Sequence, residues 1–146
     1  MIWDQSEKIG QEEKGEVMTE IGDEEMIKTI ADFIEMGHIE NIIAMFKQET
    51  DYYRYTGELI QDERFMVRMG IVLLFEELGV VRPKEISLAI PFLAPLLTEK
   101  TPRYVQGEVL TILGMIGGGE ALGYVKRYLD HPDPQLAEIA KDCVES

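Results

Sequence analysis

The residues able to do chemistry are few and scattered. The chain holds two histidines, His38 and His131, and one cysteine, Cys143. His38 stands beside a helix-stopping glycine and His131 lies in an Asp-His-Pro-Asp turn. Neither has the i, i+4 partner that a helical zinc site requires. Cys143 has no second cysteine to pair with and falls on an apolar helical stripe, which predicts a small core residue rather than a nucleophile. The acidic groups Glu12-Glu13, Asp23-Glu24-Glu25 and Asp62-Glu63 lack the alternating oxygen ligands and glycine of a calcium loop, and helix starts account for at least two of them. Gly117-Gly118-Gly119 precedes a helix but lacks the Lys-Ser/Thr ending of a phosphate loop, so it reads as a turn. The chemistry therefore predicts no catalytic residue, no metal, no cofactor and no enzyme.

Charge narrows the partners. Net charge is −14, and it is uneven: residues 1–63 carry 17 acidic and 5 basic side chains, against 11 and 9 in residues 64–146. This distribution repels phosphate backbones and leaves no basic stripe, so nucleic acid is not an expected partner; the acidic half reads first as a solvated helix face, and would also favour a basic protein partner. No apolar run reaches the length of a membrane span, and Met1-Ile2-Trp3-Asp4 lacks the basic start of a signal peptide. A cytoplasmic, non-membrane protein is the expectation.

The elements that position these residues are all helical, since no strand-like alternation occurs. A helical phrase recurs: Val67 to Gly79 aligns with Val105 to Gly117, and Leu136 to Val144 begins it again. Recurrence of this kind indicates stacked helix pairs, because one pair cannot bury its apolar stripe alone. Residues 1–22 read as an acidic tail with a short helix over Glu12 to Ile21 and Trp3 as its large anchor. Residues 23–50 read as a helical cap in which Asp23 is the N-cap and Gly37 the stop. Three repeats follow over 51–81, 85–117 and 120–146, with helices predicted over 51–60, 63–78, 85–98, 102–116, 120–129 and 134–144. Thr101-Pro102 and Asp133-Pro134 each read as a cap followed by proline at the first helical position.

The stretch Leu129-Asp130-His131-Pro132-Asp133-Pro134-Gln135-Leu136-Ala137-Glu138-Ile139-Ala140 resembles the turn and second helix of HEAT-like repeats, in the short form found in bacterial and archaeal scaffold proteins and in bilin lyases. Val67-Arg68 resembles the valine-arginine pair of such repeats, and Leu78-Gly79 and Ile116-Gly117 their second-helix ending. Gln106 and Ala137 stand where the family often has arginine. The resemblance covers about 51–146 and implies an all-α fold, an α-solenoid of antiparallel helix pairs that binds other proteins.

At 100° per residue, Val67, Ile71, Leu74, Phe75 and Leu78 form the stripe that should face the core. The opposite side of that helix carries Phe65, Met69, Val72 and Glu76, flanked by Met66 and Leu73. The matching side of the next second helix carries Arg103, Gly107, Leu110 and Gly114, and the two glycines leave a shallow channel. The third repeat has Pro134, Glu138, Lys141 and Glu145 there. In solenoids of this type the second helices line the concave side, so these eight residues of the first two repeats are the expected protein-binding surface. Burying Phe65, Met69, Val72 and Leu110 would contribute on the order of 1.5–3 kcal/mol each. The same face is open to other readings: the N-terminal hairpin or the Trp3 tail folds back over it, a second copy pairs with it, or it holds a small apolar ligand in an enzyme of bilin-lyase type. Tyr52, Tyr53 and Tyr55 point in different directions and do not predict an aromatic cage.

Overall fold

The computed structural model describes residues 11–146, with side chains from Gly22 onward. Trp3, the anchor expected in the tail, lies outside the described residues. Every regular element is helical, and no strand occurs among the described residues.

Helix α1 runs unbroken over Gln11–Glu35, so Asp23 is not the helix start that its type and position predict. Its carboxylate faces another element instead: Oδ1 accepts from Arg54 Nη2 at 2.9 Å and from the Tyr55 hydroxyl at 2.8 Å. The expected stop is present at Gly37, whose φ of 91° is open to glycine at little cost. Its N–H donates to the Ile34 carbonyl while the His38 N–H donates to that of Phe33, the paired bonds of a Schellman ending. The His38 ring packs edge-on to Phe33 at 5.6 Å, which gives this histidine a role in the turn. Helix α2, Ile39–Gln48, then buries Ile42 and Phe46.

The segments that precede α4 and α6 in the chain are more broken than their apolar pattern predicts. The segment expected as one helix over 51–60 is a 3-10 turn, Thr50–Tyr55, running into the short α3, Thr56–Leu59. The buried Thr56 hydroxyl donates back to the Tyr53 carbonyl at 2.7 Å and competes for a helical acceptor. The segment expected over 85–98 is likewise split into 3-10 turns at Ile86–Ala89 and Ala94–Leu96 around α5, Ile90–Leu93. Pro91 and Pro95 each remove a backbone donor there.

The helices that follow them, and the last helix of the chain, are regular. Helix α4 spans Phe65–Val81, three residues past the predicted end at Leu78, and stops at Arg82 because Pro83 follows. Helix α6 spans Arg103–Ile116, with Pro102 rather than Thr101 as its cap residue. Gly117 and Gly118, at φ 68° and 83°, turn the chain directly into α7, Gly118–Lys126. Helix α8, Pro134–Glu145, starts as expected: Asp133 Oδ1 accepts from the N–H groups of Gln135 and Leu136 at 2.9 and 3.4 Å, and Pro134 follows the cap.

Helix α4 packs against α1, α2 and α6, and α6 packs against α4, α7 and α8. The predicted core stripe of α4, Val67, Ile71, Leu74, Phe75 and Leu78, is completely buried. Tyr53 lies edge-on to Phe46 and Phe75, with centroids 5.4 and 6.0 Å away, so the tyrosine cluster is packing and forms no cage.

Candidate functional site

Helix α4 is apolar nearly all round, so its second apolar side must meet either more of this chain or something else. The cap does not cover it. Helix α1 reaches α4 at Gly70, where a Cβ would lie 2.2 Å from Ile34 Cγ2, and α2 reaches it near Glu77. Between these contacts and α6, Phe65 is 55% exposed, Met66 57%, Leu73 47% and Val80 76%. Met69 and Val72 are partly exposed and Glu76 is exposed. Met66, Leu73 and Val80 recur every seven residues with Met69 three after the first, which is the spacing of a helix-pairing seam.

The α6 half of the expected surface is different. Leu110 is fully buried and Gly107 is buried. The glycine channel is filled by this chain's own α8: a Cβ on Gly107 would lie 3.2 Å from Ile139 Cδ1, and one on Gly114 would lie 2.4 Å from Cys143 Sγ. The Cys143 thiol donates to the Leu110 carbonyl at 3.4 Å, and burial raises its pKa. Gly107, Leu110 and Gly114 are thus a helix-helix joint and not an open docking face. The missing side chains allow a close approach, and α8 makes it. Ile139 and Cys143, four residues apart on the third phrase, were the signal for this pairing.

Arg103 is exposed but engaged. Its Nη1 lies 2.7 Å from Asp133 Oδ2 and its Nη2 3.5 Å from Glu99, which ties the start of α6 to the cap of α8. The backbone N–H of Gln135 and the Arg103 guanidinium hold the Asp133 carboxyl below the usual carboxylate range. His131 stacks flat on Tyr128 at 4.9 Å, and its Nδ1 accepts from the Asp133 N–H. That bond places the neutral-ring proton on Nε2, 3.4 Å from Glu99. Among the described residues no group of three or more His, Cys, Asp or Glu could hold a metal ion.

Three residues that sequence reasoning missed complete the surface: Arg68, Tyr104 and Glu108. Arg68 is buried to 8% exposure, and its Nη1 donates to the carbonyls of Asp62 and Glu63 at 2.8 and 3.0 Å. Its guanidinium lies over the Tyr104 ring at 4.4 Å and the Phe65 ring at 5.8 Å, so the cation bridges the apolar strip of α4 to an aromatic of α6. Burial pushes the Glu108 carboxyl up, with the Arg68 charge opposing. The Val67-Arg68 pair held the only hint, a long cation placed next to a core valine. Gln106, at the equivalent place in α6, does similar work: its Nε2 donates to the Thr101 carbonyl at 2.8 Å, and the buried Tyr128 hydroxyl donates to its Oε1.

Two shallow clefts follow the α6–α8 joint. One, about 420 Å³, is bounded by Tyr104, Glu108 and Thr111 on α6 and by Gln135 and Ile139 on α8. The other, about 470 Å³, continues past Gly114 to Met115, Asp142 and Ser146. No helix among the described residues is long and apolar enough to cross a membrane. No family model matches the chain, and neither the curated proteins nor the solved structures contain a match to it. Fold and surface define the class: an all-helical protein with one helix apolar on both sides and exposed on one.

Proposed function

We propose that this protein is a non-enzymatic interaction module, an α-solenoid of three HEAT-like repeats behind a helical cap, which docks a segment of another protein along the outer side of α4. The observation that carries this reading is the exposure of Phe65, Met66, Leu73 and Val80 in one strip. Isolated exposed apolar residues are ordinary, but a contiguous strip marks a contact surface. Tyr104 extends the strip onto α6. Stacking of α4 on α6 and of α6 on α8, together with the matched tethers made by Arg68 and Gln106, supports the solenoid part of the proposal. The surface proposed differs from the one expected at the outset: Phe65, Met69, Val72 and Glu76 stay in it, Gly107, Leu110 and Gly114 leave it for the α8 joint, and Arg103 leaves it for its pairs with Asp133 and Glu99.

The test is a crosslinking capture from native lysate with wild type and a Leu73→Glu/Val80→Glu variant whose fold is checked by circular dichroism. A protein held only by wild type supports the module. Identical captures by both, or none, overturn it. A mass that doubles with concentration in wild type and not in the variant favours the homodimer instead.

A further inference from the structure

We infer that the segment docking on α4 is a basic amphipathic helix; this rests on the interaction-module reading. The strip is narrow, one helix wide, and its apolar positions Met66, Met69, Leu73 and Val80 follow the 3-4 spacing that receives the knobs of a second helix. A helix laid there would meet Glu76 within the seam and Glu77 beside it, both exposed. Glu77 also borders a hollow with Glu40, Ile43 and Lys47 of α2. The cations nearest the start of the strip are already spent. Arg64 is bound by Asp32, Asp62 and Glu35 at 2.7–3.0 Å, and Arg68 is buried. Within the seam the free charge is Glu76, while Glu77 has Lys47 of α2 on its far side, and an occupant with lysine or arginine flanking its apolar face on the Glu76 side complements the seam.

A second copy of the chain fits less well. Two copies would each bring a net charge of −14 and set Glu76 and Glu77 against a surface with no free cation on its seam. Three side chains near half exposure and Val80 at 76% offer roughly a few hundred Å² of apolar surface, in the range of a functional patch of about 300–600 Å². A stable dimer buries about 800 Å² per partner.

The test uses two synthetic helical peptides with the same leucine seam, one flanked by lysines and the other by glutamates, titrated against the full chain by fluorescence anisotropy. The lysine peptide should bind wild type at least tenfold tighter than the glutamate peptide. Glu76→Lys/Glu77→Lys should reverse that preference. Leu73→Glu should abolish lysine-peptide binding although it adds negative charge, which separates seam docking from general attraction to an acidic protein. Equal binding of both peptides, lost in Leu73→Glu, would overturn the basic preference and leave α4 docking standing. Binding that survives Leu73→Glu, or no binding of either peptide to wild type, would overturn both.

Discussion

Arg68 Nε lies 3.3 Å from Glu108 Oε1 across the α4–α6 joint, close enough for an ion pair, yet neither atom has an aligned hydrogen-bond partner. Their side chains are only 10% and 21% exposed, so removing one charge leaves the other poorly solvated. Arg68→Leu should therefore cost about 3 kcal/mol or more in urea denaturation. Arg68→Leu/Glu108→Leu should recover a large part of that loss, because no charge is then left stranded. A double variant no more stable than Arg68→Leu would assign the cost to the tether on the Asp62 and Glu63 carbonyls instead.

The glycines of α6 should respond unequally to alanine. At Gly114 a Cβ meets Cys143 Sγ at 2.4 Å and its Cβ at 2.8 Å, so α8 must move. Gly114→Ala should destabilise by about 1–3 kcal/mol from overpacking, less the roughly 1 kcal/mol of helix propensity regained. At Gly107 the neighbours are the mobile ends of Ile139 and Leu136 at 3.2 and 3.7 Å. Gly107→Ala should be near neutral. Thermal melts of the two variants check the contrast, and equal losses would contradict the close α6–α8 approach at Gly114.

Tyr53 buries a hydroxyl that finds no partner. Burial and the nearby Glu85 charge push its pKa up to about 12 from an ordinary 10.0. The native state thus holds this proton where the unfolded chain releases it, and stability falls as pH rises above 10 toward 12. Tyr53→Phe keeps the ring against Phe46 and Phe75, removes the unpaired hydroxyl, and should match or exceed wild-type stability at pH 7. Its stability should also fall less steeply between pH 10 and 12. A loss at neutral pH would mean the hydroxyl is bonded in solution.

The acid side of the stability profile should contain two opposed limbs. The Asp62 carboxyl is held below its ordinary 3.8 chiefly by the Arg64 guanidinium. Stability from that pair is complete above 3.8 and is lost as pH falls through the lowered native value. The raised Glu108 acts with the opposite sign: the native state binds its proton above the ordinary 4.5, so stability falls as pH climbs through the native value. Glu108→Gln should flatten the limb above pH 4.5 and leave the lower limb unchanged, as read from urea midpoints between pH 3 and 7.

Much of the fold was legible because helix formation is local. Apolar spacing placed α4, α6 and α8 to within a few residues, and the Asp133-Pro134 cap and the Gly37 stop were readable from residue type alone. The broken segments around Tyr53 and Phe92 were harder, because Thr56 and the two prolines act through single hydrogen bonds that periodicity does not register. Asp23 shows the same limit from the other side. It has the chemistry of a cap, and only the approach of Arg54 and Tyr55 from 31 and 32 residues away turns it into a tether within a longer helix.

The sequence by itself determined that the chain is helical, that a helical phrase recurs along it, and that α4 is apolar on two sides, since these depend on residue order and the 3.6-residue turn. Only the tertiary structure decided which apolar surface stays open. Gly107 and Gly114 left room for another helix, and the one that came close was α8, whose Ile139 and Cys143 filled the channel and closed that half of the surface. No element of the described chain approaches the outer side of α4 in the same way, so Phe65, Met66, Leu73 and Val80 keep their exposure. Burial is a property of pairs of elements, and the choice of pair is made by packing between residues far apart in the chain.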